Sequence, residues 1–462
     1  MHDRHKARLV DGHEGKLLLK LALPMVLGIL GMNVFHLVDT IYIGMLGREF
    51  LAAIAFTFPV VLIVNGIAMG IGIGTAAVVS RAIGKGDHRR VQRLTTDSLL
   101  LAFCLVVLVA IAGFLTIDPV FRLMHAQKNL LPHIRQYMRI WYAGAAFVVV
   151  PMVGNNAIRA TGDTKTPGVV MVLAFGVNAL LDPVLIFGLG PFPRLELAGA
   201  ALATVISRSV TLAIALWVLV RREHMLSFAR PAIRSVLESW KGVLFIGLPT
   251  GATHAIMPLG LGIITRLLAD FGPHVVGGFG AATRVEMFGL VPIWALGSGL
   301  SPFIGQNWGA GKLHRVQRGI RSAQMFSAAW GAAMLVLLFA LAPVLALMFS
   351  RDRAVTGTIV KFLRIASWGY PFLGIGLLAA NAMNVLNRPL HSASLNVLYM
   401  FGLMVPLSFL FSRLMGVTGI FTGFAVARAL AGTTAFFWLR AIVRREKDRS
   451  QVRSRDKARG LN

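Results

Sequence analysis

The chain has 462 residues, 56% of them hydrophobic and 14% charged, with a mean hydropathy of +0.72 and a formal net charge of +27. A soluble domain carries about 25% charged residues to wet its surface, so a composition this apolar excludes an ordinary water-facing fold.

Apolar runs of the roughly 20 residues needed to cross a bilayer recur along the whole chain. In order they lie near 17–46, 51–79, 95–117, 134–159, 167–189 and 197–220, then 242–269, 278–304, 322–349, 360–383, 394–411 and 416–439. Lipid admits only helices and closed barrels, because the backbone must satisfy its own hydrogen bonds. Barrel strands would be about ten residues with strict alternation, and these runs are longer and continuously apolar. The reading is an all-α integral membrane protein with about twelve transmembrane helices.

The positive charge is placed unevenly. Arg4, Lys6, Arg8 and Lys16 precede the first run, and Lys85, Arg89, Arg90 and Arg93 follow the second. Arg221 and Arg222 follow the sixth, Lys312, Arg315 and Arg318 the eighth, and Arg444, Arg445, Lys447 and Arg449 the last. If the runs alternate in direction, all of these share one side. The other side holds fewer: Arg48, Arg122, Lys128, Arg194, Arg351, Arg353 and Arg413. This positive-inside pattern implies a multi-pass membrane protein with both termini cytoplasmic. It also argues against nucleic acid as the partner of the basic residues. The first apolar run is too long for a cleaved leader and reads as a retained helix. The basic tail is expected to lie near anionic lipid or to be disordered. A single cysteine, Cys104, allows no disulfide and no thiolate metal site within the chain, and neither a metal nor a cofactor is expected.

An internal repeat organises the sequence. Gly-Lys-Gly-Asp-His-Arg-Arg-Val-Gln-Arg at 84–93 aligns with Gly-Ala-Gly-Lys-Leu-His-Arg-Val-Gln-Arg at 309–318, a spacing of 225 residues. The same spacing pairs Leu23-Pro24 with Leu248-Pro249, Gly47 with Gly272, and Asn156-Ala157 with Asn381-Ala382. An even number of spans per copy gives two homologous six-helix lobes of the same orientation, related by a pseudo-twofold along the membrane normal. The domain reading is 1–230 and 231–446 for the lobes and 447–462 for a basic cytoplasmic tail. A duplicated bundle suits alternating access, in which a cleft between lobes opens to each side in turn.

Acidic residues at membrane depth are few, and each costs about 2.5–3.5 kcal/mol at a helix centre, so they are functional candidates by default. Asp39 lies deep in the first run and Asp182 in the fifth, with Asn178 on the same face as Asp182 at i and i+4. At a spacing of 225, Asp39 meets Ile264 and Asp182 meets Leu407, which points to a site specialised in the N-terminal half. Two buried aspartates flanked by Asn178 and Thr204 can share a proton; as oxygen ligands they can instead hold a sodium ion. The competing structural reading pairs each acid with an intramembrane base such as Arg208. Arg284 and Glu286 open the eighth run and are candidates for the substrate path, Glu286 alternatively for an ion pair. Met257, Met287, Phe288, Trp294 and Tyr370 are adaptable apolar surface for a varied cargo, or ordinary packing. His36 and His254 read as hydrogen-bonded core residues. Gly66, Gly70 and Gly74, four apart, form a close-packing face, and Pro24 and Pro249 are expected to kink equivalent helices. The Gly-x-Gly-Asp at 84–87 matches an intramembrane protease pattern, but its repeat copy lacks the acid and no other enzymatic motif is present.

Together these residues resemble the multidrug and toxin extrusion (MATE) family over nearly the whole chain. The resemblance is carried by the two lobes, the Gly-x-Gly loop after the second helix of each, Ser301-Pro302-Phe303-Ile304-Gly305-Gln306-Asn307-Trp308-Gly309-Ala310-Gly311, and Arg159-Ala160-Thr161-Gly162-Asp163-Thr164-Lys165. The chain is most similar to the DinF-like branch, whose N-lobe cation site Asp39, Asn178, Asp182 and Thr204 match, with Asn155 or Asn156 as a fourth-helix member. Where the NorM-like branch carries a glutamate this chain has Met257, and where some DinF-like members carry a tyrosine it has Phe35. The resemblance implies a monomeric antiporter of the cell (inner) membrane that exports small organic, cationic amphiphilic substrates against protons, with sodium as the alternative ion. The rival functions are a lipid-linked precursor flippase of the same superfamily, expected to have more helices and an arginine-lined cavity, and an uncoupled channel or scaffold.

Overall fold

The structure, a computed structural model, describes residues 9–229 and 232–458. Arg4, Lys6, Arg8 and the boundary at 230 and 231 lie outside the described residues, as do the side chains of His36 and Arg449. Within them the chain is helical, without strands. The first half holds α1 (Glu14–Leu46), α2 (Arg48–Gly84), α3 (His88–Leu123), α4 (Leu131–Ala143), α5 (Ala145–Ala160), α6 (Lys165–Phe187) and α7 (Glu196–Trp217). The second holds α8 (Ile233–Ala269), α9 (Pro273–Gly309), α10 (Leu313–Phe349), α11 (Arg353–Ala366), α12 (Tyr370–Val385), α13 (Pro389–Val397), α14 (Val405–Met415) and α15 (Val417–Ala458). Eleven spans, some formed by consecutive helices, are long and apolar enough to cross a membrane among the described residues. A twelfth is formed if α4 and α5, bent by 47° at Gly144, count as one. The helices overrun the apolar runs because a helix ends where its terminal groups find a cap, not where hydrocarbon ends. Asp87 accepts from Arg90 N at 2.9 Å to start α3, and Asp352 accepts from Ala354 N at 2.8 Å to start α11. Pro24 sits inside the continuous α1 and Pro249 inside the continuous α8. The basic tail departs from the disordered alternative, since α15 carries it as helix to Ala458.

The chain forms two compact units, one built on Lys20–Ala255 and the other on Val10–Leu19 and the chain from Ile256. In the first, the glycine face of α2 packs on the start of α8. A Cβ at Gly70 would stand 2.8 Å from Gly251 N and 2.9 Å from its Cα, and one at Gly74 would stand 3.3 Å from Gly247 N. In the second, Phe279, Phe362, Phe421 and Phe424 centre an aromatic core, with Phe279 and Phe362 centroids 5.4 Å apart and Phe362 and Phe421 5.1 Å apart. The beginning of the chain is tied into this second unit. Lys312 Nζ donates to Val10 O and Asp11 Oδ1, each at 3.1 Å, Arg315 donates to Gly12 O at 2.8 Å, and Arg315 and Arg318 flank Glu14 at 3.4 and 3.8 Å.

The repeat is visible in geometry. Gly47 and Gly272 adopt φ of 127° and 107°, and Gly86 and Gly311 adopt 75° and 74°, values open to glycine at the same four turns. Asn156 lies against Gly72, and Asn381 donates to Gly297 O at 3.0 Å, the same contact pair 225 residues on. The register then shifts. A π-helical turn at Leu398–Met404 inserts a residue, and the Gly188–Leu195 connection is replaced by Gly416 alone. The close contact of Gly199 with Leu185 and Ile186 therefore recurs as Gly419 with Phe411 and Ser412, and that of Gly144 with Val205 as Gly369 with Ala425. At the end of α14 the spacing is 226, and in α15 it is 220. Asp182 thus corresponds to Ser408 and not to Leu407, because the π turn displaces the register by one.

Gly70→Val is expected to abolish the folded protein, read as loss of the monodisperse peak in detergent. Gly44→Ala, at a position with nothing within 4 Å of the added methyl, is expected to leave that peak unchanged.

Candidate functional site

The two intramembrane acids meet inside the first unit. Asp182 is wholly buried, and Asn178, one turn earlier on α6, donates its Nδ2 to Asp182 Oδ1 at 2.7 Å. Among the described residues Asp182 Oδ2 has no hydrogen-bond partner, and neither has Asp39 Oδ1. Asp39 and Asp182 lie close enough for their charges to interact, and Tyr137 of α4 lies within the field of both. Ser207 of α7 turns its Oγ to Asn178 Oδ1 at 3.4 Å and to Thr204 O at 2.9 Å. The hydroxyl that reaches the asparagine is thus Ser207, while Thr204 contributes its carbonyl. Asn156 donates its Nδ2 to Met152 O at 2.8 Å and accepts from Arg159 at 2.5 Å on its Oδ1, whereas Asn155 keeps a buried Oδ1 without a partner among the described residues. No carboxylate here is in an ion pair with Arg208, whose guanidinium lies 5.7 Å over the Phe175 ring. Phe35, one turn before Asp39, stacks on that ring at 5.2 Å. Among the described residues no group of three His, Cys, Asp or Glu is placed to hold a metal.

The second unit serves as an internal control. Asp39 corresponds to Ile264, Tyr137 to Phe362, and Thr204 to Phe424, and all three of these counterparts are buried members of one apolar cluster. Asn178 falls at Leu403 or Met404 in the π turn, within the same cluster. Ser408, opposite Asp182, is polar but spends its hydroxyl on Ile420 O at 3.3 Å. The architecture therefore tolerates hydrocarbon or a satisfied hydroxyl at these positions, and the titratable set in the first unit is an addition to it.

The substrate-path candidates are dispersed. The early start of α9 places Arg284 and Glu286 well inside it, not at its opening, and Arg284 is exposed. Glu286 is engaged: Arg428, only 3% exposed, donates to its Oε1 at 2.6 Å, and Tyr370 donates to Oε2 at 3.4 Å. Arg428 also donates to Ala366 O at 3.2 Å and lies 5.2 Å over the Tyr370 ring. Met257 packs against the apolar cluster, while Met287 and Phe288 are each 46% exposed on the surface. Ser207, Tyr137 and Arg428 escaped the sequence reading. Ser207 shares the face of Thr204 at i+3, and Arg428 stands alone as a base in the last apolar run, signals that were there to be used.

Known proteins give this geometry a context. The MatE family model matches residues 24–184 and 249–410, two stretches whose starts are 225 residues apart. The chain belongs to the MATE transporter family. As a MATE protein it is a transporter and not an enzyme, in a family of multidrug efflux carriers. It is 38% identical to a Shewanella oneidensis protein named FAD transporter, over 95% of this chain and 96% of that one. It is 25% identical to the probable multidrug resistance protein YoeA of Bacillus subtilis, over 90% and 92% of the two chains. The crystal structure of the Vibrio cholerae MATE transporter VcmN in the bent form superposes with a TM-score of 0.89 at 29% identity, covering 94% of this chain and 98% of that one.

Removing one member of a buried ion pair leaves the other charge stranded, a loss of about 3–5 kcal/mol. Glu286→Gln is therefore expected to lower the thermal midpoint of the purified MATE protein markedly. The double variant Glu286→Gln with Arg428→Met is expected to recover most of it, as read by thermal unfolding in one detergent.

Proposed function

We propose that this MATE protein is a secondary active exporter in which Asp39 and Asp182 carry the coupling proton, in the manner of the DinF-like branch. The observation that supports it is the pair of unanswered carboxylate oxygens, Asp39 Oδ1 and Asp182 Oδ2, each buried without a hydrogen-bond partner among the described residues. A buried carboxylate without a partner is costly, and a proton taken up by the pair removes that cost. When water reaches the site the cost falls and the proton leaves, which ties the protonation state to the side from which the site is open. Sodium, held by the same oxygens with Asn178, is the alternative coupling ion. The protein works as a monomer in the inner membrane with both termini cytoplasmic, the orientation being supported by its basic loops.

The acids suit small, cationic amphiphilic cargo, and the relatives named as multidrug proteins agree with that reading. A second reading is favoured by the higher identity, 38% over 95% of the chain, to a protein named FAD transporter: export of a flavin dinucleotide or a close analogue. The flippase reading is less well supported, since the eleven or twelve spans among the described residues are fewer than it expects.

Everted vesicles loaded with an imposed proton or sodium gradient, assayed with a fluorescent organic cation and with FAD, test both readings. A proton gradient is expected to drive transport, and Asp39→Asn and Asp182→Asn are each expected to abolish it at normal membrane levels. Full activity in either variant would sink the coupling assignment, and sodium-only transport would recast the pair as metal ligands.

A further inference from the structure

The two halves of the repeat each place an arginine at the same point of their sixth span, and only one of the two is neutralised by a carboxylate among the described residues. With the spacing of 220 that holds there, Arg208 of α7 corresponds to Arg428 of α15. Arg428 has Glu286 at 2.6 Å. The position of Glu286 in the first half is Val61, and among the described residues no carboxylate pairs with Arg208. Arg208 is also far from either end of its span, Glu196–Arg222, by about 18–21 Å of helix, which is beyond the reach of its side chain. Its guanidinium stays half-buried over Phe175, itself stacked on Phe35. Asp182 lies seven residues from Phe175, about 10 Å along α6, and one of its oxygens is already taken by Asn178.

An ionisable residue at this depth is a functional candidate by default, and an anion that comes and goes would answer its charge. A guanidinium is a planar fork of donors that matches phosphate bidentately, and the aromatic ring under it fixes the plane of that fork. We infer that Arg208, seated on Phe175 and Phe35, is the subsite that binds the phosphate of a phosphorylated aromatic cargo. Arg428 shows what the same residue does when a carboxylate is built in: it closes the second unit. The absent acid at Val61 leaves the first unit's arginine open for cargo. The inference rests on the flavin-dinucleotide reading above and names the residue that would separate FAD from uncharged flavin.

The test uses the full-length protein in detergent, with flavin fluorescence titrated against wild type, Arg208→Gln and Arg208→Lys, and thermal unfolding as the check on folding. Losing hydrogen bonds to a charged group is expected to weaken FAD and FMN binding by about tenfold to a hundredfold in Arg208→Gln, with Arg208→Lys between. Riboflavin, the same ring without phosphate, is expected to change less than twofold. An equal loss for riboflavin and FAD would make Arg208 a packing residue and overturn the inference. Unchanged FAD binding in a variant whose stability has become independent of anionic phospholipid would assign the phosphate to a lipid headgroup and overturn it as well. If wild type binds no flavin, the flavin reading fails by itself, and inorganic pyrophosphate monitored by tryptophan fluorescence decides the site. Pyrophosphate binding lost in Arg208→Gln keeps the anion subsite, and binding independent of Arg208 ends it.

Discussion

Charge in hydrocarbon has to be answered, and the way each charge is answered divides this molecule. Where an acid and a base are both present, as at Glu286 and Arg428, the pair is closed by a short bond, a second donor from Tyr370 and two aromatic faces. Where they are separated, as with Asp39, Asp182 and Arg208, no ion pair closes among the described residues. A carrier needs the second condition at the place where ions and cargo bind and the first condition everywhere else. Membrane burial makes both conditions expensive to violate, which is why so few ionisable residues at depth are enough to mark the working parts.

Duplication turns that contrast into something that can be read position by position. The first unit replaces Ile264, Phe362 and Phe424 of the second with Asp39, Tyr137 and Thr204, and the second replaces Val61 and Ala145 of the first with Glu286 and Tyr370. Each half thus carries one polar constellation, while the matching positions of the other half are mostly apolar, with Ser408 opposite Asp182 and Arg208 opposite Arg428 as the polar exceptions. The packing devices, by contrast, are held in common. Glycines with positive φ turn both copies at the same points, and an asparagine meets a glycine at the same crossing in each.

Much of this was legible in the amino-acid order because lipid imposes long apolar runs and a repeat repeats its punctuation. The twelve runs, the glycine face at Gly66, Gly70 and Gly74, and the shared face of Asn178 and Asp182 all follow from local spacing, while Asp39 is joined to them by the family resemblance. What spacing could not deliver was register across helices. A π turn at Leu398–Met404 adds one residue without any gap in hydrophobicity, so Leu407 stood in for Ser408. The partner of Glu286 lies 142 residues away on α15, and a pairing of that range depends on which helix faces touch. Ser207 was hidden by its more conspicuous neighbour Thr204, although only the packing of α7 on α6 decides which hydroxyl reaches the asparagine.

The anchoring of the chain's beginning has a bearing on how the molecule is made. Val10, Asp11, Gly12 and Glu14 find their partners in Lys312, Arg315 and Arg318, some 300 residues later. At roughly 5–20 residues per second, the ribosome delivers those partners about 15–60 s after the segment itself. Until then the opening turn of α1 has no ionic tether, and its final seating is one of the later events in the biogenesis of the carrier.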